Sequence, residues 1–177
     1  MRAGCGAEFR PCPDLRRAGT GDFWGVRRME HKALAEEFFR AGYNCAQAVV
    51  VAFHDTLGIS ERQAARLSSS FGGGMGRMRE TCGAVSGMLL VAGLLWGYGT
   101  PGDDSSKAEH YRLVQKLAGK FRESTGSLVC RELLGNPPSD PTPTPRTPDF
   151  YKNRPCAGFV GLAAEILDEE LRQRQNL

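Results

Sequence analysis

Histidine is scarce in this 177-residue chain: there are three, and none stands in a His-Glu-x-x-His or Cys-x-x-Cys-His spacing. That removes the sequence signatures of a zinc protease and of a c-type haem attachment. No Cys-x-x-Cys pair occurs either, so any dithiol must be assembled by tertiary structure. The Gly-rich run Phe71-Gly72-Gly73-Gly74-Met75-Gly76 lacks the Gly-Lys-Ser/Thr ending of a phosphate loop and follows no strand. We read it as a flexible turn. The N-terminus has no apolar run of roughly 7–15 residues, so no secretory signal is visible and the cytoplasm is the expected compartment. Net charge is also missing from most of the chain. Residues 1–28 hold six Arg against three acids, whereas residues 29–177 hold 17 basic and 17 acidic residues. The body therefore carries no electrostatic footprint for nucleic acid or an anionic membrane.

Charge is absent altogether from Thr81 to Gly102. Read as a membrane span, this stretch is too short in its strongly apolar part, Val85–Tyr98, and too rich in glycine. A helix buried in the core is the expectation.

What is present is a series of helical patterns. Residues 1–28 are Gly- and Arg-rich without periodicity, so they read as an extension, disordered or ahead of a natural start at Met29. Residues 29–177 read as a single helical four-cysteine domain. Apolar spacing predicts helices over 30–41, from Cys45 to about Leu57 behind an Asn44 cap, and over Glu61–Ser69 behind a Ser60–Gln63 capping box. Thr81 is expected to cap the apolar helix that begins at Cys82. A long helix runs from Ser105 or Ser106 to Ser124, with Ala108, Tyr111, Val114, Leu117, Ala118 and Phe121 inside. A short turn follows at Cys130–Leu134, and a last helix covers Cys156–Gln173. Residues 136–155 hold seven of the ten prolines and read as an extended surface loop without regular helix. The class is all-α, a compact bundle of about six helices with a Pro-rich loop before the last.

Four cysteines share one context. Cys45, Cys82, Cys130 and Cys156 each fall in the first turn of an expected helix. There, free N–H groups and the positive end of the macrodipole favour a thiolate. The four are expected to converge on one site, with Arg77 and Arg79 adding positive charge if they face inward. Cys5 and Cys12, in the irregular extension, are set aside. His31, His54 and His110 lie on separate helices and read as surface or satisfied residues. Gly83, Ala84 and Gly87 leave a smooth face after Cys82. That face suits either a compact cofactor or close packing of another helix, and the packing partner could bring in a second cysteine.

These elements resemble the C-GCAxxG-C-C family of redox-active proteins. The likeness rests on Tyr43-Asn44-Cys45-Ala46-Gln47-Ala48-Val49, Gly73-Gly74-Met75-Gly76, Cys82-Gly83-Ala84-Val85-Ser86-Gly87, Cys130-Arg131-Glu132-Leu133-Leu134-Gly135 and Cys156. It spans about Glu30–Glu170, and it implies redox chemistry without naming a substrate.

Three functions follow from the residues. In thiol–disulfide exchange, Cys82 is the expected attacking thiol and Cys45 its resolving partner. In the alternative, Cys45, Cys82, Cys130 and Cys156 ligate zinc or an iron–sulfur cluster from different helices. In the third, the Pro-rich loop docks a partner and the cysteines act as redox sensors. The expected partners are a redox protein or a small oxidant or reductant, with a second copy of the chain as a further candidate.

Overall fold

Eight helices account for most of residues 30–175, the part of the chain that the computed structural model describes. They are α1 (Glu30–Arg40), α2 (Cys45–Ala52), α3 (Glu61–Ser68), α4 (Gly83–Trp96), α5 (Asp104–Thr125), α6 (Cys130–Leu133), α7 (Pro148–Asn153) and α8 (Cys156–Gln175). Six have eight residues or more, and among the described residues there is no strand, so the all-α expectation is met. The expected extension, with Cys5 and Cys12, lies outside the described residues.

Local chemistry explains most of the helix starts. The Asn44 side chain accepts from the N–H groups of Ala46 and Gln47, and Gln47 returns a bond to the Asn44 backbone. Ser60 and Gln63 do the same for α3. At α5 the cap is Asp103, which accepts from Ser106 N–H, so the helix starts earlier than Ser105. Helix α2 is shorter than expected. Its Val51 carbonyl accepts from His54 N–H at 3.1 Å, with His54 Nδ1 at 2.9 Å, and the chain tightens into turns before Gly58 at φ +65°.

The Pro-rich segment corrects one expectation: it contains α7. Thr147 caps Phe150 N–H and Pro148 takes the first helical position, where its missing N–H costs nothing. The inner stripe of α5 is also narrower than expected. Leu113, Leu117 and Phe121 are buried one turn apart, while Ala108 and Tyr111 face out.

The core forms around α2 and α8. Helix α2 packs against α1, α3, α4 and α8, and α8 also meets α1, α4 and α5. Phe39, Phe53, Met88, Leu117, Phe121 and Leu167 are fully enclosed. The uncharged stretch is α4, buried over Gly83–Met88 and at Val91 and Ala92. Among the described residues no helix is long and apolar enough to cross a membrane.

Candidate functional site

Each of the four cysteines stands at a helix start. Cys45, Cys130 and Cys156 are the first residues of α2, α6 and α8, and Cys82 is the N-cap of α4. Thr81 does not cap α4. It forms an isolated antiparallel bridge with Val129. Cys82 N–H donates to Leu128 O at 2.8 Å and Cys130 N–H donates to Glu80 O at 2.7 Å, so this ladder sets Cys82 beside Cys130.

The small residues after Cys82 set α4 against α2. A Cβ placed on Gly87 would stand 2.8 Å from Ala46 O, which is closer than real contacts allow. Packing against α2 therefore fills the Gly87 face, leaving no groove there for a cofactor. Gly83 and Ala84 line a cavity with all four cysteines.

That cavity has a volume of about 320 Å³. Its polar wall includes Arg77, Arg79, Arg146 and Arg154, and Phe39, Phe150 and Phe159 contribute to its apolar wall. Sequence reasoning did not single out Arg146 or Arg154. The available signal was Arg154-Pro155-Cys156, which sets a guanidinium two residues before a helix-start thiol.

The segment leading into the site is strained. Gly73, Gly74, Met75, Gly76 and Arg77 run consecutively through left-handed φ values of 59–75°, and Arg79 follows at +64°. Non-glycine residues pay about 1–2 kcal/mol each for this conformation. The turn delivers two arginines to the cavity and to the Pro-rich segment. Arg77 donates to Asp140 O and to Thr144 Oγ1, at 2.6 and 3.0 Å. Arg79, only 3% exposed, donates to Pro138 O at 3.1 Å, and its charge favours the Cys130 thiolate. Arg146 reaches across to Phe39 O and Tyr43 O, both at 3.2 Å, so residues 136–147 lie strapped over the site.

The four thiols differ in acidity. Burial pushes Cys82 up to about 12, although the N–H groups of Ala84 and Val85 pull the other way. Burial also raises Cys130, with the Arg79 hydrogen bond and charge offsetting part of it. Cys45 is raised well above its ordinary 9.0, first because its S–H donates to Cys156 and next by burial. Cys156 is lowered to about 7, first because it accepts that bond. Burial opposes the shift, and Arg154, Arg146 and Arg79 assist it.

Metal ligation needs several donors converging on one point. Among the described residues no group of three or more His, Cys, Asp or Glu side chains is placed to hold an ion.

The histidines lie elsewhere. His31 Nδ1 sits 2.6 Å from Asp168 Oδ1 and its ring stacks on Phe53, His54 closes the turn after α2, and His110 sits near Tyr98.

An all-α bundle whose helix starts bring four cysteines to one cavity is the class that fold and site define. The family model described as "Putative redox-active protein (C_GCAxxG_C_C)" matches residues 43–170, and the chain belongs to that family. No curated protein and no solved structure matches the chain.

Proposed function

We propose that the protein is a thiol–disulfide oxidoreductase in which Cys156 attacks and Cys45 resolves. The observation that carries this reading is that Cys45 and Cys156, the first residues of α2 and α8, share one arginine-lined cavity. It replaces Cys82 as the attacking thiol. A helix start favours a thiolate, but burial pushes Cys82 up to about 12, whereas Cys156 is lowered.

The chemistry balances as follows. The Cys156 thiolate attacks one sulfur of a substrate disulfide. A Cys156–substrate disulfide forms, the substrate S–S bond breaks, and the first substrate thiolate leaves. Cys45 gives its proton to a departing thiolate and attacks the Cys156 sulfur. The Cys45–Cys156 bond forms and the second substrate thiol is released. Two electrons pass from the protein dithiol to the substrate. An external dithiol reductant, small or protein-borne, returns the pair by the same steps in reverse.

The test is a trapping experiment. Cys45→Ser treated with a small disulfide should accumulate a stable adduct on Cys156, seen by intact mass and peptide mapping. The wild type should instead pass on to an internal disulfide. An adduct on Cys82, or none on any thiol, would sink the assignment.

A further inference from the structure

The cavity holds more positive charge than the reacting thiol needs. Four arginines line it and no aspartate or glutamate does. Arg77 has a carboxylate partner in Asp140. Among the described residues, Arg79, Arg146 and Arg154 have no carboxylate within ion-pair distance. Arg79 is almost wholly buried, its guanidinium held by the Pro138 carbonyl. Arg146 lies over the rings of Phe39 and Phe150 at 4.5 and 4.9 Å, and Arg154 lies over Phe150 at 5.0 Å. A buried guanidinium without a counter-charge is costly, which applies to Arg79; Arg154 is half-buried and Arg146 is exposed at the mouth. One thiolate on Cys156 answers only part of that charge.

We propose that this cavity takes a small disulfide bearing carboxylates, whose anionic ends pair with Arg79, Arg146 and Arg154 while its sulfur meets Cys156. Guanidinium forks match carboxylates two bonds at a time. The rings of Phe150 and Phe159 provide a surface for a short apolar body. A volume of about 320 Å³ lies at the lower end of small-molecule sites, roughly 300–1,000 Å³, which favours a small molecule over a protein loop. This assignment of substrate class rests on the exchange reading above.

Three disulfides of similar length and different charge test it: dithiodipropionate (anionic), hydroxyethyl disulfide (neutral) and cystamine (cationic). Each single-turnover rate with the reduced protein is divided by the rate of the same disulfide with free mercaptoethanol. The expected order is anionic, neutral, cationic, with about ten- to hundredfold between the first two at low salt. A flat or reversed order overturns the proposal. In Arg154→Gln both absolute rates should fall, because Cys156 loses a nearby cation, but the anionic-to-neutral ratio should fall as well. An unchanged ratio would confine Arg154 to tuning the thiol and overturn its pairing role.

An arm free of sulfur chemistry separates the two readings. Suberate has the same backbone length as dithiodipropionate and cannot be reduced. It should slow iodoacetamide labelling of Cys156, mapped by mass spectrometry, while the neutral octanediol should not. Protection by suberate with no disulfide reduced would keep the anion site and sink the exchange reading. Disulfide reduction without protection would do the reverse.

Discussion

A Cβ built on Gly83 would stand 3.0 Å from the Cβ of Cys45. The small residue after one cysteine is thus what lets a second cysteine approach, by letting α2 lie directly against α4. Gly83→Ala must push the start of α2 aside. The expected cost is about 1–3 kcal/mol in urea unfolding. The Cys45 bond to Cys156 should weaken as well, so Cys156 labelling should shift toward the pH of an ordinary thiol. Lost stability with an unmoved labelling profile would show that Gly83 serves packing alone.

The pH dependence of Cys156 follows from a lowered thiol pKa. Its iodoacetamide rate should rise through a midpoint of about 7 and then level, whereas an ordinary thiol keeps rising toward 9.0. Cys45→Ala removes the first cause of the shift and should move the midpoint up. The groups facing this sulfur are Cys45 and the arginines Arg154, Arg146 and Arg79. The linkage to stability has a definite sign. Cys156 adds stability that is full above 9.0 and is lost as pH falls through about 7. Cys45, whose value is raised, adds its share below its ordinary 9.0 and loses it as pH climbs through the raised value. A midpoint at or above 9 in the wild type would remove Cys156 as the attacking thiol.

Arg79 ties the Pro-rich segment to the site through Pro138. Arg79→Gln should free residues 136–147, and limited proteolysis should cut there several-fold faster than in the wild type. The same change removes a cation near Cys130 and Cys156, so both thiols should become less acidic. Unchanged cutting would show that Arg77 and Arg146 hold the strap without it.

Gly74 offers a test of the left-handed turn. Its φ is +75°, and a Cβ there would stand 2.7 Å from the Cβ of Cys130 and 2.9 Å from Glu80 N. Gly74→Ala should cost at least the roughly 1–2 kcal/mol of the left-handed conformation, with the clash in addition, read as a lower midpoint in thermal unfolding. A neutral outcome would mean that the ladder between residues 79–82 and 128–131 yields easily.

Much of this fold could be read from the sequence, for a physical reason. Caps and periodicity act locally, so the Asn44 and Ser60 boxes and the helix starts at Cys45, Cys130 and Cys156 show in the residues themselves. What escaped was tertiary. Thr81 looks like a cap, but Val129 claims it as a bridge partner, and no neighbour in sequence announces that. Tertiary surroundings set the acidity of each thiol, so Cys82, with the best local context, is pushed up by burial while Cys156 is lowered. Proline argued against helix in residues 136–155, yet Pro148 at a first helical position is the one place where the ring fits.

Cys45 and Cys156 start α2 and α8, so the lowered Cys156 thiol depends on those two helices having docked against each other. On a nascent or misfolded chain every thiol returns to its ordinary value, with only a few per cent ionised at neutral pH. An incomplete molecule therefore carries no sharpened nucleophile with which to cross-link its neighbours. Reactivity is switched on when α8 docks beside α2, and the labelling midpoint of one cysteine doubles as a gauge of how much of the population has made that contact.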